Sequence, residues 1–225
     1  MKYSLLISFI ICFFYESTIE SCVVSTTSTN NIKFRNMQSA DIKSVAILCA
    51  ECFNGPFTFL DILSKKSSED EYIKQLTDRY DNYVNKQAKH IMIVAENQNI
   101  NSEKCEIVGF MELGTMLSPI SKKSIEIWEG IETEVESRPE LPFLGNVAVD
   151  NSYQRKGIGT KLVKLALKCA KKWQDDFLFL AVESDNLAAI KLYGKLQFQI
   201  ILDESENISR PLNRTPRLYF EKELI

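Results

Sequence analysis

At 225 residues the chain is long enough for one domain with a sizeable core. Its 45% hydrophobic and 25% charged residues are those of an ordinary globular protein and exclude a disordered or fibrous chain. A formal net charge of −3 speaks against a general nucleic-acid binder.

The N-terminus stands apart. Lys2 precedes an apolar run over residues 5–15, broken only by Ser8. Such a run is too short for a membrane-crossing helix, which needs about 20 apolar residues, and has the make-up of a secretory leader. Residues 1–21 are expected to be that leader, with Ser21 and Ser25 as candidate cleavage positions. Residues 22–31 are rich in Ser, Thr and Asn, and no acid occurs between positions 21 and 40, a transit-peptide composition. The pair resembles the two-part leader of proteins sent to secondary plastids; secretion or residence in an endomembrane lumen is the alternative. Past the leader no membrane contact is expected. Residues 32–225 form the expected domain.

In chain order, residues 32–37 read as a first strand. A helix from about Ser39 to Cys52 carries Ile42, Val45, Ala46, Cys49 and Phe53 at helical spacing. Asn54-Gly55-Pro56 ends it. A second helix over residues 69–86 aligns Tyr72, Ile73, Leu76, Tyr80 and Tyr83. Residues 90–95 and 106–115 suggest a hairpin, and Gly109 in its second strand suggests a bulge or a close backbone approach. Cys49 and Cys52 form a Cys-x-x-Cys on a helix with one histidine, His90, in the whole chain. That is too few ligands for zinc and the wrong context for a thioredoxin motif, so both read as core residues and no metal is expected.

Residues 117–143 read as an insertion, acidic in its second half, with Ile125, Trp128, Ile131 and Val135 at helical spacing. It is either a solvated excursion or an acidic wall for a cationic substrate. Then come a strand over 144–149, a glycine-bearing turn, a helix to about Trp173, a strand over 177–182 and a helix over 186–196. Two strands, 198–202 and 217–222, close the chain. Strands alternating with helices after a strand–helix–helix–hairpin start predict an α/β (α+β) layered domain.

Gln154-Arg155-Lys156-Gly157-Ile158-Gly159-Thr160 is the most informative stretch. A strand, a tight Gly-x-Gly turn and a helix start together make a cradle for a pyrophosphate, with backbone N–H groups and the helix dipole aimed at one spot. Arg155 and Lys156 add cations. Thirty residues on comes Asn186-Leu187-Ala188-Ala189-Ile190-Lys191-Leu192-Tyr193, followed by Phe198. Together these blocks resemble the coenzyme motifs of the GCN5-related N-acetyltransferase (GNAT) family. Gln154, Gly157 and Gly159 match its first motif; Asn186, Ala189, Leu192, Tyr193 and Phe198 match its second. Gln197 departs from the glycine usual before that Phe.

The resemblance implies a mixed central sheet with splayed fourth and fifth strands and helices on both faces, with acetyl-CoA as co-substrate. It implies that Val147, Ala148 and Val149 pair through their backbone with the pantetheine arm, and that Gln154, Arg155, Lys156, Gly157, Ile158, Gly159 and Thr160 hold the pyrophosphate. Asn186 would bond the coenzyme arm, besides being a natural N-cap, and Tyr193 would face the departing sulfur. The family's carboxylate before the Val of the fifth strand is here Ala181, so the base is open between Glu112 and Glu183, with Asp150 and a water chain as alternatives. The expected acceptor is an amine of a peptide or protein, an N-terminus or lysine; a small amine, or a non-catalytic acyl-CoA-binding module, is the alternative. A dinucleotide oxidoreductase is disfavoured, because the third glycine is missing.

Overall fold

The structure is a computed structural model that describes residues 31–53, 62–84, 89–98, 106–117, 140–204 and 215–224. The leader, most of the insertion (118–139) and the loop 205–214 lie outside the described residues, and with them the acidic-wall expectation.

Strand β1 (Ile32–Asn36) leads through a single 3-10 turn into helix α1 (Ile42–Phe53), and α2 spans Ile62–Val84. Next come β2 (His90–Asn97), β3 (Glu106–Leu117) and β4 (Glu140–Val149). After β4 follow α3 (Ile158–Lys172), β5 (Phe177–Glu183), α4 (Leu187–Lys195), β6 (Gln199–Asp203) and β7 (Arg217–Glu223). The seven strands lie in the order β1-β2-β3-β4-β5-β7-β6. All neighbours are antiparallel except β4 and β5, which run parallel and meet at Phe143↔Phe179. Beyond that pair the two strands part, as the resemblance implies.

Alternation along the strands feeds two cores, one per sheet face. Ile91, Ile93, Met111, Leu113, Leu178 and Leu180 pack with Leu162, Val163, Ala166 and Cys169 of α3 and Tyr193 of α4. Met92, Val94, Phe110 and Ala148 pack on the opposite face with Val45, Ala46 and Cys49 of α1 and Leu76 of α2. The sheet is therefore covered by helices on both faces.

Several element boundaries differ from the expectation. β4 begins at Glu140, within the expected insertion, because β3 runs on to Leu117 and pairs Met116↔Leu141 and Leu117↔Glu140. Pro142 is tolerated there since it lies before the β5 contact, where its missing N–H costs no ladder bond. Helix α2 begins at Ile62 rather than 69. Phe53, placed by its spacing on the core face of α1, is 43% exposed.

Both readings of Gly109 hold. The register against β2 shifts next to it, Ala95 pairing with Gly109 and Glu96 with Ile107 so that Val108 is the extra residue, and a Cβ at Gly109 would lie 3.0 Å from Ile158 Cγ2 and 3.1 Å from Ala95 Cβ. Gly109 thus lets the N-terminus of α3 lie close on the sheet.

Candidate active site

The turn between β4 and α3 is built by local hydrogen bonds. Asp150 accepts from the Ser152 N–H at 2.8 Å, and Gln154 Nε2 donates to Val149 O at 3.2 Å and Asn151 Oδ1 at 2.8 Å. Arg155 (φ 61) and Gly157 (φ 83) then take left-handed conformations, which fold successive N–H groups toward one side. Lys161 N–H makes its helix bond to Gly157 O at 3.0 Å, so the N–H groups of Ile158, Gly159 and Thr160 precede the first intrahelical bond. They have the charge and direction to meet an anion.

The turn opens on a cleft of about 1010 Å³ between the end of β4, the start of α3 and helix α4. Its floor is Val147, Ala148 and Val149; the turn supplies Gln154, Arg155, Gly157, Ile158, Gly159 and Thr160, and the α4 wall supplies Asn186 and Tyr193. Two motifs thirty residues apart in sequence therefore face each other across one opening. Asn186 also caps α4, accepting from the Ala189 N–H at 3.0 Å. Tyr193 is buried, and burial pushes its phenol well above the usual tyrosine range, so it stays neutral.

Three expected site residues lie away from this cleft's lining. Lys156 stands 4.8 Å over the Tyr153 ring, a cation–π contact that turns it aside. Glu183 ends β5, exposed, on the sheet face opposite Leu180 and Val182. It faces the α2 side: the Tyr72 phenol is pushed up chiefly by burial, and the Glu183 carboxylate is among the groups that add to it.

Glu112 is buried and fully engaged. Oε1 lies 2.8 Å from His90 Nε2, and Oε2 accepts from Asn146 Nδ2 at 2.7 Å. Arg79 Nε stands 3.4 Å from Oε1, within ion-pair reach, yet it is buried without a hydrogen bond of its own. The contact is therefore one of charge rather than of a directed bond. Burial would raise the Glu112 pKa, but the His90 hydrogen bond, the Arg79 and His90 charges and the Asn146 hydrogen bond outweigh it and hold the carboxyl below the usual glutamate value. A carboxylate so occupied is a poor proton acceptor for a substrate.

The sequence missed the lip of the cleft. Glu51, Cys52 and Phe53, at the end of α1, line it, and the Cys52 thiol donates to Val149 O at 3.6 Å. Cys52 thus lines the cleft while packing, half-buried, against the core on the α1 face, and Cys49 is buried with its thiol pushed up to about 12, chiefly by burial. The exposed Phe53 was the available sign: an aromatic at a helix end just before Asn-Gly-Pro.

An N–H cradle at a helix start, an apolar floor at the end of β4 and a neutral phenol together have the chemistry to receive a phosphate-bearing carrier. The acetyltransferase (GNAT) family model matches residues 57–198, and the chain belongs to that family. It is 36% identical over 67 residues to the Bacillus subtilis N-acetyltransferase YobR, covering 30% of this chain and 27% of that protein. It is 43% identical over 56 residues to N-alpha-acetyltransferase 30 of Xenopus laevis, covering 25% of this chain and 20% of that protein. The matched stretch thus spans less than a third of either relative. Among solved structures, Arabidopsis thaliana NAA60 in complex with acetyl-CoA shares the fold at TM-score 0.59 and 17% identity, over 86% of this chain and 98% of that one.

Proposed function

We propose that the protein is an acetyl-CoA-dependent N-acetyltransferase whose acceptor is a primary amine of a peptide or protein, an N-terminus or a lysine. The observation that carries this is the single cleft lined by both motifs and by Tyr193.

The turn from Arg155 to Thr160 binds the pyrophosphate through backbone N–H groups, and the Val147–Val149 floor lies along the acyl-bearing arm. Val149 O already accepts from Gln154 and Cys52, so pairing with the arm falls to the backbone of Val147 and Ala148. Asn186 keeps its amide N–H₂ for the arm while its oxygen caps α4.

The amine attacks the thioester carbonyl directly, a C–N bond forms as the C–S bond breaks, and the proton lost by nitrogen ends on the sulfur. A neutral Tyr193 enters as a hydrogen-bond donor to the departing sulfur, stabilising charge that develops there. With its pKa pushed above that of a thiol, full proton transfer from the phenol is uphill, so the amine is the source of the sulfur's proton. An amine that arrives as ammonium must first lose one more proton to become a nucleophile; Glu112 being engaged, that proton is assigned, through solvent, to Glu183, exposed at the end of β5, and the one lost on attack goes to the sulfur.

A peptide acceptor is supported by the lip of Glu51, Cys52 and Phe53, where an acid and an exposed aromatic flank the cleft, and by the similarity to a relative named N-alpha-acetyltransferase 30. Peptides with free α-amines, peptides blocked at the N-terminus but carrying lysine, and simple polyamines, each incubated with acetyl-CoA and read by mass spectrometry, separate the acceptor classes. Acetylation of either peptide class supports the reading; acetylation of polyamines alone refutes it.

A further inference from the structure

The register of β4 against β3 contains one extra residue. Glu112 pairs with Gly145 and Phe110 with Ala148, so Asn146 and Val147 together oppose Met111. Asn146 is the only residue of β4 with positive φ, at 51. A one-residue bulge reverses which face every later side chain takes. Before it, Leu144 packs on the α3 face; after it, Val147 and Val149 do so and Ala148 turns to the α1 face. Unbulged alternation would place residue 148, and not 147 and 149, beside Leu144. The floor of the cleft therefore exists in its present sense because of the bulge.

An asparagine tolerates the left-handed region better than most residues. Its side chain also ties the bulged residue to β3, the amide donating to Glu112 Oε2 at 2.7 Å. Glu112 is itself fixed from other elements: His90 of β2 at 2.8 Å and Arg79 of α2 at 3.4 Å, with the buried Cys49 of α1 close enough to feel its charge. We propose that Glu112 is a positioning residue: clamped by His90 and Arg79, it anchors Asn146 and so fixes the β4 bulge that sets Val147–Val149 as the floor of the acyl site. This rests on the transferase reading for its kinetic consequence, but the backbone consequence stands without it.

The test compares Glu112→Gln, Glu112→Ala and Asn146→Gly. Glycine accepts φ 51 without strain, so Asn146→Gly keeps the fold and drops only the anchor. Glutamine keeps a carbonyl acceptor for Asn146 and loses the ability to take a proton. An anchor predicts that Glu112→Gln turns over within about tenfold of wild type, while Glu112→Ala and Asn146→Gly each lose roughly 10²-fold in kcat. Their double variant should then be no worse than the poorer single one. A base predicts the reverse: Glu112→Gln as inactive as Glu112→Ala, and Asn146→Gly near wild type. That outcome overturns the proposal. Amide hydrogen exchange in the same proteins decides it independently of turnover. Exchange at Val147–Val149 should quicken in Asn146→Gly and Glu112→Ala while α3 is unchanged; unaltered exchange at those three residues also overturns it. A wild type that transfers no acetyl group refutes the transferase reading alone, and the exchange result still judges the anchor.

Discussion

The Tyr193 ring meets the Phe198 ring edge-on, with centroids 5.6 Å apart and planes at 69°, and Phe220 flanks it at 6.0 Å. Two aromatics from different elements thus fix the direction of one phenol toward the cleft. In Tyr193→Phe the ring contacts persist and only the donor is lost. The expected result is a roughly 10²-fold fall in kcat, with acetyl-CoA affinity and melting temperature close to wild type. Full activity in the variant would remove Tyr193 from the mechanism.

Gly157 and Gly159 serve different needs. A Cβ at Gly157 meets open space, but its φ of 83 is costly for any L side chain, whereas at Gly159 the nearest atom, Leu192 Cδ2, is 3.4 Å away in ordinary contact. Gly157→Ala should weaken acetyl-CoA binding by roughly tenfold, the equivalent of about 1–2 kcal/mol of backbone strain. Gly159→Ala should bind nearly as wild type. Titration calorimetry with both variants checks the order; equal losses would show that conformation is not what the turn requires.

At Gly109 the constraint is space. With Ile158 Cγ2 at 3.0 Å and Ala95 Cβ at 3.1 Å from the added carbon, Gly109→Ala overpacks the seat of α3. A destabilisation of about 1–3 kcal/mol is expected, together with a raised KM for acetyl-CoA as the helix start shifts. A variant as stable as wild type would mean that α3 yields freely.

Glu112 carries a pH signature. Its folded pKa lies below the usual glutamate value of 4.5, so its contribution to stability is present in full above that value and is lost as pH falls through the lower, folded one. Urea midpoints measured from about pH 6 down to about pH 3 should therefore fall more steeply for wild type than for Glu112→Gln. Parallel curves would mean that the carboxylate is not held in its charged form.

Glu183→Gln tests the proton acceptor. At the pH optimum kcat should fall by roughly 10²-fold, with acetyl-CoA affinity close to wild type. An unchanged kcat would leave the proton to bulk water.

The coenzyme side of the site was legible because its chemistry is local. Glycine at a turn, apolar strand, helix start and Asn-capped second helix each announce themselves within a few residues, and the family resemblance joined them. The Glu112 cluster was not legible: Arg79, His90, Glu112 and Asn146 come from four elements and converge only once β2, β3 and β4 are in register and α2 lies across them. Nor does Gly-Asn-Val in a strand disclose that Asn146, rather than Gly145, takes positive φ. The strand limits failed for a related reason, since ladder pairing with β3 extends β4 over Glu140-Leu141-Pro142-Phe143, where a proline at the end of an acidic segment reads as loop.

Thiol release from acetyl-CoA tests acetyl transfer most directly. Protein starting near residue 31 is mixed with acetyl-CoA and a panel of free-amine peptides, beside Tyr193→Phe. Peptide-dependent release of the thiol, matched by acetylated peptide and sharply reduced in the variant, is the predicted result. Tight acetyl-CoA binding with no release for any amine would contradict it and leave a carrier-binding module on the same fold.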